Sequence, residues 1–133
     1  MVVVGTVFMS TAGSSQGRGL DVNAPSASTT LVISQAYGGG GGTGTYLFDY
    51  VEIKNISSTN QALNGLTLMY GSATGQFMSS PTNGFALPDA TIAPGKYYLV
   101  QTSSAGTSGA NLPVTPDATT TNMSMSGTNG KVA

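Results

Sequence analysis

Five carboxylates, Asp21, Asp49, Glu52, Asp89 and Asp117, carry most of the acid–base chemistry open to this 133-residue sequence. The closest two, Asp49 and Glu52, are three positions apart. On a strand they would face opposite sides, so a glycoside-cleaving pair could come only from distant residues brought together by folding. No stretch spells a calcium-binding loop. Histidine and cysteine are both absent. That removes the commonest general base and metal ligand, all disulfides, thiolate metal sites and thiol nucleophiles. Gly13-Ser14-Ser15-Gln16-Gly17 has the letters of a nucleophile elbow. No helix pattern follows and no histidine exists to activate Ser15, so it reads as a chance match in a Gly/Ser-rich stretch. The glycines at 38–42 lack the Gly-Lys-Ser/Thr ending and following helix of a phosphate loop; a loop between strands is expected there. Asp89 and Asp117 read as turn caps beside Pro88 and Pro116, and Glu52 as a solvent-face partner of Lys54. No catalytic residue, metal or cofactor is expected.

Binding is the chemistry that remains. Tyr37, Tyr46, Phe48 and Tyr50 flank the glycine run. Exposed tyrosines on a neutral β face stack on sugars or bases and anchor protein contacts, which makes Tyr37, Tyr46 and Tyr50 the possible ligand or partner contacts. The four cations, Arg18, Lys54, Lys96 and Lys131, are scattered and the net charge is −1. Neither nucleic-acid binding by this chain alone nor membrane insertion is expected. Charged residues make up 7% of the chain, against about 25% for ordinary globular proteins. The surface must therefore be Ser, Thr, Asn, Gln and Gly, with little self-repulsion between copies. Asn55-Ile56-Ser57 and Asn122-Met123-Ser124 fit the glycosylation acceptor pattern. This composition reads as that of an extracellular or cell-surface protein of bacterial type, the alternative being a cytosolic protein of unusual composition.

The elements that would position these residues are strands. The spacing predicts a strand at Leu31–Tyr37, with Leu31 and Ile33 on one face and Val32 and Ser34 on the other. A second covers 48–54, with Val51 and Ile53 opposed to Tyr50, Glu52 and Lys54. Leu66, Leu68 and Tyr70 share a face, 76–80 reads as a short strand, and 97–101 follows the Pro94-Gly95 turn. Residues 102–122 are mostly loop; Met123 and Met125 share a strand face, and Val132 begins a closing strand. No helix is predicted. The core candidates are Leu31, Ile33, Val51, Ile53, Leu66, Leu68, Ile92, Leu99 and Val132; Leu99 exchanges with Tyr98 and Val100 on a one-residue slip. Strands at this spacing read as an all-β sandwich. Tyr98, four residues after Pro94, is placed as a tyrosine corner would be.

Three units follow: a β-prone N-terminal arm at 1–12, a flexible linker at 13–29, and a β-sandwich at 30–133. The apolar start of the arm could also be the core of a signal peptide, though no positive charge precedes it.

In order, residues 31–41 (LVISQAYGGGG), Asp49–Asn55 (DYVEIKN), 63–68 (LNGLTL), 94–100 and 127–133 resemble the lamin tail domain family in its bacterial secreted form. The resemblance implies an immunoglobulin-like β-sandwich with no catalysis of its own, used in surface proteins or beside secreted nucleases and phosphoesterases. The family usually has Gly-Trp where this sequence has Gly65-Leu66, and its members run on with one or two further strands. A sandwich lacking a strand would expose an apolar groove and unpaired backbone. The expected function is thus a non-catalytic extracellular structural or adhesive module. It would self-assemble into a homo-oligomer, filament or layer by strand donation from the arm through Val2, Val4, Thr6 and Phe8. An accessory binding domain of a secreted nuclease or phosphoesterase is the alternative. The linker's reach, roughly 20–25 Å, permits pairing within one copy or between copies.

Overall fold

The computed structural model describes residues 28–42, 46–103 and 105–133. The N-terminal arm, the elbow-like letters at 13–17 and the assembly residues Val2, Val4, Thr6 and Phe8 lie outside them.

Among the described residues nine strands form: β1 Leu31–Tyr37, β2 Asp49–Asn55, β3 Gln61–Ala62, β4 Thr67–Gly71, β5 Gly84–Ala86, β6 Thr91–Ile92, β7 Tyr97–Thr102, β8 Ala118–Thr119 and β9 Lys131–Val132. Their helical content is one 3-10 turn at Pro81–Asn83. One sheet has the order β1-β2-β7-β8, antiparallel except for the parallel β7–β8 pair. The other has the order β5-β4-β9, and β3-β6 is a separate ribbon. This is the all-β, immunoglobulin-like sandwich. Its core joins Ile33, Val51, Ile53, Tyr98 and Val100 of the first sheet to Leu68, Tyr70 and Val132 of the second.

Strict alternation in β2 buries Asp49, Val51, Ile53 and Asn55 and turns Tyr50, Glu52 and Lys54 outward. In β7 the inward residues are Tyr98, Val100 and Thr102. Cross-strand register sets this phase: Ile53 opposes Tyr98 and Val51 opposes Val100. Leu99 is therefore half-buried on the outer face, which corrects its placement in the core. Leu66, also expected there, is half-buried and packs against the core from a turn. Residues 76–80 form turns and bends, not a strand. Met123 and Met125 are both buried, but in irregular chain; Met123 sits at a left-handed φ of 62°.

The Pro94-Gly95 turn forms as a type II turn. Lys96 N–H donates to Ala93 O (3.0 Å) and Gly95 takes φ +71°, a value glycine adopts without strain. Leu63-Asn64-Gly65-Leu66 closes the same way, with a 3.0 Å bond from Leu66 N–H to Leu63 O. The tyrosine corner does not: Tyr98 packs in the core and its hydroxyl makes no hydrogen bond back to upstream backbone among the described residues. The Tyr70 hydroxyl instead accepts from Ser126 N–H (3.2 Å), tying β4 to the irregular segment that carries Met123 and Met125. The expected Glu52–Lys54 pair is also replaced. Glu52 accepts from the Ser34 hydroxyl (2.6 Å), and the Lys54 ammonium lies 4.9 Å from the Tyr97 ring centre.

One buried polar atom has no hydrogen-bond partner among the described residues, the hydroxyl of Thr102. Valine has the same shape without the orphan group. Thr102→Val is expected to raise the unfolding free energy by about 1 kcal/mol, read as a higher urea midpoint with an unchanged slope.

Candidate functional site

Where strict alternation would turn Gln35 and Tyr37 inward with Leu31 and Ile33, a bulge turns them out. The β1–β2 register shifts between Ile33 and Gln35, so Ser34 is the extra residue. Beyond it Gln35 opposes Glu52 and Tyr37 opposes Tyr50 on the outer face. The rows continue into β7: Tyr50 opposes Gln101, Glu52 opposes Leu99 and Lys54 opposes Tyr97.

The Tyr37 and Tyr50 rings stack with centres 5.3 Å apart and planes 11° from parallel. Tyr46 packs edge-on to both, at 5.5 Å from Tyr37 and 6.0 Å from Tyr50. The Tyr50 hydroxyl donates to Gln35 Oε1 (3.1 Å). The structure thus brings together all three tyrosines singled out in the sequence. Desolvation by burial, with Tyr46, Glu52 and Tyr37 adding to it, pushes the Tyr50 hydroxyl pKa up, so it stays protonated and able to donate.

A second loop supplies a facing wall. Leu47 N–H bonds to Ala110 O (2.8 Å) and Gly106 N–H to Leu47 O (2.8 Å). Gly106 lies so close to Gly41 that a Cβ on either would overlap the other's backbone. Thus anchored, the loop sets Leu112, Pro113 and Val114 across from Tyr46 and Tyr50. Gln35, Glu52 and Leu99 complete a cavity of about 180 Å³. Glu52 is the one carboxylate in its lining, so this cavity holds no acid–base pair for hydrolysis. Gln35, Leu99 and the wall were not anticipated. A bulge and a contact across more than 60 residues leave no local signal in sequence.

Two further gaps lie at opposite ends of β1, each bridging it to the β4–β9 edge. One, of about 270 Å³, is lined by Ala36, Tyr37, Tyr70, Met125 and Val132 with neighbouring loop residues. The other, almost wholly apolar, is lined by Leu31, Ile53, Leu63, Leu66, Leu68, Leu87 and Ala133 with Thr67. Between them β1, whose partner is β2, has no second strand neighbour among the described residues.

The glycosylation-like asparagines are engaged. Asn55 is fully buried and its amide donates twice, to Thr59 O (2.7 Å) and Ile92 O (2.8 Å). Asn122 donates to Gly84 O (2.9 Å). Among the described residues no three His, Cys, Asp or Glu side chains come together as a metal site would need.

A family model described as Lamin Tail Domain matches residues 24–132. No curated protein and no solved structure matches the chain.

Proposed function

The chain belongs to the lamin tail domain family, and from that premise we propose a non-catalytic extracellular structural or adhesive module that assembles by strand donation. The observation that carries this reading is the edge of β1, seven residues long, unpaired among the described residues and flanked at both ends by gaps between the sheets. An added strand would pair its backbone with β1 and set side chains over the gap of about 270 Å³ beside Tyr70 and Val132. Val2, Val4, Thr6 and Phe8, in the β-prone arm of a neighbouring copy, have the spacing and chemistry to do so. Donation between copies is a heterologous contact and builds rings or open filaments, hence a surface filament or layer. The 7% charged composition and net charge of −1 offer little repulsion to close packing.

Deleting residues 1–12 is expected to leave a monomer where the full chain gives large, concentration-dependent species in sedimentation velocity. Identical oligomers from the deleted chain would refute strand donation, as would a full chain that stays monomeric at high concentration. The second reading, an accessory binding domain of a secreted nuclease or phosphoesterase, is favoured by the tyrosine-lined cavity.

A further inference from the structure

We infer that the cavity between Tyr46–Tyr50 and the Leu112-Pro113-Val114 wall is a carbohydrate subsite for one neutral sugar ring of a larger glycan. This goes beyond the assembly reading and does not depend on it: the cavity opens on the outer face of β1, β2 and β7, whereas strand addition would use the backbone edge of β1.

Charge and hydrogen bonding both select the ligand. Glu52 is the single carboxylate in the lining and no Lys or Arg joins it, so a phosphate or nucleotide would meet repulsion with no counter-charge. Lys54, outward on the same sheet, lies one row away over the Tyr97 ring. The Tyr37 and Tyr50 rings, with centres 5.3 Å apart, are closed on each other, so no ligand enters between them. The polar floor is a neutral donor beside an acceptor. Gln35 Oε1 is taken by the Tyr50 hydroxyl, which leaves the Gln35 NH₂ as donor. Glu52 Oε1 is taken by Ser34, which leaves Oε2 as acceptor. Gln35 and Glu52 are directly opposed across β1 and β2. Adjacent sugar hydroxyls, each able to donate and accept, match that pair. The walls, Tyr46, Tyr50, Leu99 and Pro113, are apolar surfaces suited to the C–H faces of a pyranose. A volume of about 180 Å³ open to solvent accommodates one ring and lets a chain continue outward. The site is largely built: the polar pair stands on paired strands, and backbone bonds at Leu47 and Gly106 hold the wall.

The test uses the full chain and neutral polysaccharides: native gels cast with hydroxyethyl-cellulose, xylan or glucomannan, and titration with soluble chitohexaose followed by tyrosine fluorescence. The chain has no tryptophan, so that emission comes from its six tyrosines. Retardation or saturable binding by at least one neutral glycan is expected. Tyr50→Ala and Gln35→Ala should each weaken it about tenfold, and Tyr97→Ala, on the next row, should not change it. Val114→Lys covers the case in which Tyr50→Ala misfolds. Val114 is 60% exposed, so lysine is tolerated by the fold but obstructs the cavity. Failure of every neutral glycan would overturn the inference. So would full binding by Gln35→Ala and Val114→Lys, or binding confined to heparin, DNA or a proline-rich peptide.

Discussion

Replacing Asn55 by alanine is expected to lower the unfolding free energy by about 3–5 kcal/mol. The side chain is fully buried and every polar atom of it is used. Its amide donates to Thr59 O and Ile92 O, and its Oδ1 accepts from Ser57 N–H (2.9 Å) and the Ser57 hydroxyl (2.7 Å). Its backbone donates to Lys96 O and accepts from Gly95 N–H, 3.0 Å each. One residue thus joins the end of β2 to the 57–59 turn, to β6 and to the Pro-Gly turn. Alanine takes one hydrogen bond from the buried Ile92 carbonyl and removes the acceptor of both the Ser57 amide and the Ser57 hydroxyl. Ser57→Ala removes one hydroxyl and keeps the amides, so its cost should be about 1 kcal/mol. Urea unfolding of the three proteins decides it. Equal, small losses for both variants would mean that Asn55 is not the organising residue.

The same strand shows what was legible beforehand. Period-two alternation in DYVEIKN correctly set Val51 and Ile53 inward and Tyr50, Glu52 and Lys54 outward. It also puts Asp49 and Asn55 in the core, where polarity argued against reading them. Leu68 and Tyr70 were readable for the same periodic reason. The phase of β7 was not, because Tyr97-Tyr98-Leu99-Val100 is an unbroken apolar run. Nor was the bulge at Ser34, a single extra residue that reverses the facing of everything after it. The tyrosines were visible as residues, but their common surface needs that reversal and the return of the 106–114 loop. Tertiary register, not local propensity, decides both.

Asp49 anchors the other end of β2, and its removal should show a distinctive dependence on pH. Its carboxylate accepts from Gly40 N–H and Met125 N–H, 2.6 Å each, while its own N–H donates to the Ser103 hydroxyl (3.2 Å). It thereby holds the glycine loop and the Met123–Met125 segment to the sheet. Asp49→Ala leaves two amides unpaired and should cost about 2–4 kcal/mol at neutral pH, with faster hydrogen exchange at Gly40 and Met125. Burial raises the Asp49 pKa above its ordinary value, outweighing the opposing pull of the Gly40, Met125 and Gly39 amides. The folded state therefore binds this proton more tightly than the unfolded chain, whose value is about 3.9. Between the two values the folded state holds more protons, so stability falls as pH rises through that window. The stabilisation from protonating Asp49 is fully present below the unfolded value and gone above the folded one. Asp49→Asn cannot titrate. The parent-minus-variant difference in unfolding free energy is thus expected to be larger near pH 4 than at pH 7, the reverse of a salt-bridged aspartate. A difference that grows toward neutral pH would show that the amide bonds, not burial, control this carboxyl.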